Sequence, residues 1–278
     1  MPEVVPFEDS LAPSTWESTS IDTSKAHPAR IYNYFLGGKD NYAVDREAAE
    51  TALRAVPEVR AGARANRAFL GRAVRNASMA GITQFLDLGT GIPGPGNTGD
   101  IARSIHPEAR VVYVDNDPIV ATHSRALLSG ADPALTAILE ADIRDPTSIL
   151  DDPTVAKVLD FQRPIAVLMV ALLHFIRDEE DPAGVLATFT DAVAPGSMLV
   201  LSHATRGSDP ERAKSVASGW TNATSQLVMR SVPEVTQFLD RWSVLEPGLV
   251  QVPQWRPDGD VPEGSELIQI YGAVGVKP

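Results

Sequence analysis

The chain contains no cysteine, which excludes disulfides, thiolate zinc sites, iron–sulfur clusters and cysteine nucleophiles. It is also short of positive charge. Lys and Arg total 24 against 36 Asp and Glu, a formal charge of −12, so no broad surface can track phosphates and nucleic acid is not an expected partner. No apolar run reaches the roughly 20 residues that a spanning helix requires. The opening residues MPEVVPFEDSLAPSTWESTS lack the basic start and apolar core of a secretory leader. These absences predict a cytoplasmic protein without a membrane partner. The Gly-x-Ser-x-Gly elbow is missing, as is the Gly-x-x-x-x-Gly-Lys phosphate loop, because Gly37-Gly38-Lys39 has no upstream glycine. The five histidines form no paired-histidine motif, and no metal is expected.

What is present suffices for a core. Apolar residues make up 44 % of 278, enough for one large α/β domain with an appendage. Residues 1–24, rich in Ser, Thr, Pro and acids, read as a flexible arm. Residues 25–80 hold an aromatic segment, HPARIYNYFLGGKDNY, followed by two helical patterns that make an N-terminal helical cap. From residue 81 to 278, strands and helices alternate. Strands are expected at Gln84–Leu88, Val111–Val114, Leu135–Leu139, Ile165–Val170, Ser197–Ser202, Ser243–Leu245 and Glu266–Val274. Helices are expected between them and over Asp209–Met229. Ile165–Val170 is unbroken apolar sequence, as a strand buried on both faces of a parallel sheet must be. The last two strands can pair as a long-looped hairpin, which predicts a doubly wound, Rossmann-like sheet with one antiparallel strand near its edge.

The chemistry concentrates in Phe85-Leu86-Asp87-Leu88-Gly89-Thr90-Gly91-Ile92-Pro93-Gly94-Pro95-Gly96. Glycines directly after a strand let the chain turn sharply and let backbone approach a ligand. The literal string Gly89-x-Gly91-x-x-Gly94 matches the dinucleotide fingerprint, with Asp115 placed to hold a ribose. Asp87 opposes that reading, because its charge would face a pyrophosphate. Pro93 and Pro95 oppose it too, since they delay the helix whose N-terminus would hold the phosphates. A cationic ligand fits better.

Asp87-Leu88-Gly89-Thr90-Gly91 resembles the first motif of class I S-adenosylmethionine-dependent methyltransferases. Val111-Val112-Tyr113-Val114-Asp115-Asn116-Asp117-Pro118 resembles their second, and Glu140-Ala141-Asp142-Ile143-Arg144 their third-strand motif. Together with Ile31–Tyr42 and Arg64-Ala65-Asn66-Arg67-Ala68-Phe69-Leu70, the chain is similar to an actinobacterial family of S-adenosyl methyltransferases formerly known as a domain of unknown function. The resemblance implies a seven-stranded methyltransferase sheet and S-adenosylmethionine as cofactor. Gly89, Thr90 and Gly91 would make room for it, with Asp87 near its ammonium and Asp115 accepting from the ribose hydroxyls. Asn116 would flank the adenine, Asp142 would take the exocyclic amine, and Ile143 would lie against the ring face. Pro93 departs from the usual third glycine and leaves the path of the loop open.

Other readings stand beside these. Asp115-Asn116-Asp117 could simply cap a helix, or mimic an acidic metal pair, and Asp142 could be a turn residue. Val170-Ala171-Leu172-Leu173-His174-Phe175-Ile176 resembles the Leu-His segment of small-molecule methyltransferases. His174 is accordingly a candidate general base, or a residue that lines the site. Tyr32, Tyr34 and Tyr42 are candidates for a lid, and Arg64 and Arg67 for contact with that lid or with an acceptor. A solvated face is the plainer reading of the arginines, and ordinary packing against the following helices explains the tyrosines equally. The expected activity is methyl transfer to oxygen or nitrogen of a small-molecule acceptor, and a homodimer is compatible with the sequence. The alternatives are a non-catalytic cofactor binder and an NAD-linked oxidoreductase.

Overall fold

A computed structural model of the chain describes residues 22–127 and 130–278. The arm expected over residues 1–24 lies almost entirely outside the described residues. Three helices come first: α1 (Pro28–Leu36), α2 (Ala43–Ala55) and α3 (Val59–Met79). His27 caps α1, with Nδ1 accepting from the Ala29 amide, and Pro28 follows at the first helical position, where a missing N–H costs nothing. Phe69, Leu70, Ala73, Val74 and Ala77 recur at helical spacing on α3 and are buried, which lays this helix on the sheet.

The strands are β1 (Gln84–Leu88), β2 (Arg110–Asp115), β3 (Thr136–Glu140), β4 (Ala166–Val170) and β5 (Met198–Ala204). Between them run α4 (Thr98–Arg103), α5 (Pro118–Leu127), α6 (Pro146–Leu150), α7 (Pro153–Val158) and α8 (Pro182–Ala192). After β5 come α9 (Pro210–Ala217), α10 (Val232–Gln237), β6 (Ser243–Val244), β7 (Val250–Gln251) and β8 (Ile270–Val276). The sheet order is β3-β2-β1-β4-β5-β8-β6, with β7 pairing β8 beside that path. β1 to β5 are parallel, and β8 is antiparallel to β5, β6 and β7. This is the expected class I methyltransferase sheet with its one reversed strand near the edge. The two-residue β7 is an addition that its length hid from the sequence. One apolar cluster fills each face of the sheet, and a third, around Ile31, Phe35, Ala52 and Trp220, lies under the cap.

The long helix expected over Asp209–Met229 ends at Ala217. A single tight turn follows at Ser218–Trp220, and the chain then runs extended. There Thr224 donates to the Ala26 carbonyl and Val228 to the His174 carbonyl. Gly219 and the Thr-Asn-Ala-Thr segment are poor helix formers, so these tertiary hydrogen bonds win. Among the described residues, no helix is long and apolar enough to cross a membrane.

Candidate functional site

The strand order reverses between β1 and β4, and a crevice opens at the carboxyl ends of β1 and β2. There Gly89 and Gly91 take φ of +66° and +67°, a left-handed conformation that an L side chain resists. Gly89 N–H donates to the Val114 carbonyl at 2.8 Å, which folds the loop back over β2. A Cβ on Gly89 would stand 2.5 Å from Leu172, whereas one on Gly91 would meet nothing within 4 Å. Both positions favour glycine by their backbone angle, and at the first a Cβ would also crowd the Leu172 side chain. The first stands beneath Leu172, and both line the cavity.

The cavity they border is lined by Asp87, Gly89, Thr90, Gly91, Asp115, Asn116, Asp142 and Ile143, every residue expected to hold the cofactor. Asp115 Oδ2 accepts from Gly91 N–H at 2.8 Å, and Oδ1 from Asp117 N–H at 3.0 Å. Asp87 Oδ2 accepts from the hydroxyls of Thr98 at 2.6 Å and Thr90 at 3.4 Å. No described group donates to its Oδ1. Burial pushes both carboxyls up to about 6, because desolvation disfavours the anion. Arg67 on α3 also lines the cavity and acts against that rise at Asp87. Asp87, Asp115 and Asp142 line the cavity with Arg67 and Arg144, and Arg144 is already paired with Asp142 and Glu180, so the pocket is short of positive charge and suits a ligand that brings its own.

The walls come from elsewhere. Ile143, Leu172, Phe175 and Ile176 supply apolar surface. Asn116 Nδ2 donates to Asp142 Oδ2 at 3.2 Å, and Arg144 pairs with the same oxygen at 2.8 Å. Arg144 then reaches Glu180, the Phe175 carbonyl and Ser225, so one guanidinium ties the end of β3 to the segment after β4. The roof is the start of α1. His27 lies 3.1 Å from Asp117, as does Arg30 Nε, and Arg30 also approaches Asp45. Tyr32 lines the cavity and donates its hydroxyl proton to the Ala63 carbonyl. Tyr34 does not line it and donates to Glu50, while Tyr42 is exposed beside Arg30. Arg67 lines the cavity and Arg64 points to solvent. The structure therefore brings Tyr32 and Arg67 to the site and leaves Tyr34, Tyr42 and Arg64 outside it.

A second cavity of about 340 Å³ adjoins the first, and Pro28, Tyr32, Ala171 and Phe175 line both. Ala171 has φ of +56° without being glycine, a strained conformation of the kind that gathers at ligand sites. Phe35, Val216, Trp220, Leu227 and Met229 make the second wall largely apolar. His174 lines this second cavity and not the first, and is buried. Its Nδ1 accepts the Ala204 N–H at 3.0 Å. Among the described residues, no group of three His, Asp or Glu side chains converges to hold a metal.

Sequence reasoning missed His27, Asn66, Arg144 and Ser225 in the first cavity and, apart from Tyr32 and His174, the wall of the second. Arg144 was signalled, two residues after Asp142. The others come from distant segments and carry no local pattern.

The chain was compared with known proteins. The family model described as S-adenosyl methyltransferase matches residues 14–278. A crystal structure of a DUF574 family protein from Streptomyces avermitilis is 43% identical, covering 92% of this chain and 99% of that one at a TM-score of 0.88. A crystal structure from Thermobifida fusca is 38% identical, covering 95% and 99% at a TM-score of 0.87. No curated protein matches. The match along nearly the whole chain and the cation-seeking cradle at residues 87–91 agree, and the chain belongs to the S-adenosyl methyltransferase family, enzymes whose cofactor is S-adenosylmethionine.

Proposed function

We propose that this enzyme methylates oxygen or nitrogen of a small molecule that enters the second cavity. One observation carries the reading: the cofactor cradle meets a larger, mainly apolar chamber through a wall shared by Pro28, Tyr32, Ala171 and Phe175. Chambers of a few hundred Å³ are typical of small-ligand sites.

In this reading, Asp115 accepts from the ribose hydroxyls with the lone pairs that Gly91 and Asp117 leave free. Asp87 sets its open Oδ1 against the ammonium. Asn116 and Asp142 stand at the adenine edge and Ile143 covers its face. The apolar side chains of Leu172 and Phe175 exclude water from the junction. The cofactor, when bound, supplies an electrophilic methyl on sulfonium sulfur: an acceptor lone pair forms the new bond as the carbon–sulfur bond breaks, and the acceptor proton leaves to water. Little covalent help is needed, so the chain contributes mainly alignment and desolvation.

Calorimetry with S-adenosylhomocysteine, followed by transfer of labelled methyl from S-adenosylmethionine across an acceptor panel, tests this. Saturable binding and one methylated product are expected. Absence of binding would overturn the cradle assignment, and binding without any product would favour a cofactor sensor.

A further inference from the structure

Two histidines and an arginine that no part of the cofactor cradle uses form one buried hydrogen-bonded chain. Arg230, 6% exposed, donates to the carbonyls of Leu173 and Ile176 and pairs with Asp178 at 2.6 Å. The guanidinium also lies over the Phe238 ring, and its remaining side-chain hydrogen bond is with His203 Nε2, at 3.0 Å. Arginine has no lone pair to offer, so His203 Nε2 must be the acceptor and its ring proton must sit on Nδ1. That proton is donated to the Ala204 carbonyl at 2.7 Å. The amide of the same residue donates to His174 Nδ1 at 3.0 Å. His174 Nδ1 is thereby an acceptor, which leaves its proton on Nε2. No described group pairs with Nε2, and the ring lines the second cavity.

We propose that His174 holds the methyl acceptor as a hydrogen-bond donor, and that the second cavity takes an uncharged, mainly apolar ring compound with an oxygen or nitrogen lone pair turned toward Nε2–H. This rests on the second cavity being the acceptor site. His174 then positions its ligand and cannot also act as its base, because its one basic nitrogen is engaged by Ala204. Arg230 and His203 are positioning residues that set its tautomer.

The surroundings support a neutral occupant. Of the charged groups lining the cavity, Arg206 is paired with Glu234 and Arg212 with Glu58, while Asp209 caps α9 through the Arg212 amide. Glu266 is exposed at the rim. Among the described residues lining the cavity, no unpaired arginine or lysine is left for an anionic acceptor. Phe35, Phe175 and Trp220 pack against one another along the wall and give it an aromatic surface that suits an apolar ring compound. Burial, with the Arg230 charge and the neighbouring His203, holds His174 well below the usual histidine range, and burial brings His203 to about 4.

The test is nitrogen-15 NMR on histidine-labelled protein without ligand, so its outcome does not depend on whether the cofactor binds. His174 is assigned by the signals lost in His174→Gln. Between pH 5.5 and 8, His174 should show a fixed Nε2–H and His203 a fixed Nδ1–H. An Nδ1–H form of His174, or its titration near neutral pH, would overturn the proposal. His203→Gln, or Arg230→Lys if the first variant unfolds, should make the His174 signals move with pH, and unmoved signals count against the chain. The acceptor class is tested with benzophenone and diphenylmethane, which differ in one carbonyl. The ketone should bind roughly three- to tenfold tighter, the worth of one net hydrogen bond, and shift the Nε2–H resonance. The gap should close in His174→Phe. Equal binding of the two probes by the native protein would refute the donor role.

Discussion

The two cavities of this enzyme share a wall and little else. The cavity proposed for the cofactor takes its acidic side chains from the ends of three adjacent parallel strands, each within a few residues of a turn. The larger cavity proposed for the acceptor is assembled from α1, α3, the end of β5, α9 and the segment before β8. Binding a ligand common to a whole family needs a few fixed hydrogen bonds, which strand ends provide. Choosing an acceptor needs a shape, which only distant packing provides.

The largest expected effect tests the cavity at the strand ends. Asp115→Ala removes a carboxylate proposed to accept from two hydroxyls and leaves the Gly91 and Asp117 amides without their partner. Charge-assisted hydrogen bonds are worth roughly 1.5–3 kcal/mol each, so S-adenosylhomocysteine affinity should fall by about 100-fold or more by calorimetry. An effect under tenfold would mean the ribose lies elsewhere. Binding to the acceptor chamber should change little, and equal losses at both sites would dissolve the distinction between them.

Protonation provides the next effect. Asp87 and Asp115 are each raised from 3.8 to about 6 by burial. Their anions favour a cationic ligand, so cofactor affinity should drop from pH 7 to pH 5 by roughly tenfold for each of the two carboxylates that the ligand needs ionised, as expected for a pKa near 6. The free protein should show the opposite trend. A folded-state pKa above the unfolded one means the native state binds more protons, so stability falls as pH rises from about 4 to about 6 and is flat above. Thermal unfolding and calorimetry over that range check both signs, and the chamber's neutral probe should ignore the change.

The contrast also explains what the sequence could disclose. The place of Asp87, Gly89, Asp115 and Asp142 along one crevice was legible because a βα turn sets the residues that face the sheet edge at short, fixed offsets from an apolar strand. The sheet was legible for the same reason, since period and turn chemistry mark each element. The helix over 209–229 failed beyond Ala217 because its hydrogen bonds go to Ala26 and His174, partners nearly 200 and about 50 residues away. His203 and Arg230 were invisible for a related cause: a buried histidine and an arginine 27 residues apart look like ordinary core and surface until the fold sets them 3.0 Å from each other.

A smaller effect refines the cradle. Thr98→Val takes the 2.6 Å donor from Asp87 Oδ2. Its pKa should rise further, and cofactor affinity at pH 7 should weaken by about fivefold, near the worth of one hydrogen bond. The pH midpoint of binding should move upward with it. A variant that weakens binding equally at all pH values would show that Thr98 acts by shaping the loop instead.

The smallest effect separates two arginines that look alike in sequence. Arg64 and Arg67 lie one turn apart on α3, yet Arg67 lines the cradle and donates to the Gly96 carbonyl, while Arg64 is exposed. Arg67 lowers the Asp87 pKa through its charge, so Arg67→Ala should raise the pH midpoint of cofactor binding by up to about one unit. Arg64→Ala should leave it in place and change affinity less than about twofold, as exposed charges do. If the two variants behaved alike, the arginines would act as one diffuse patch of charge, and the polar cradle would depend on the whole helix face rather than on the side chains that reach it.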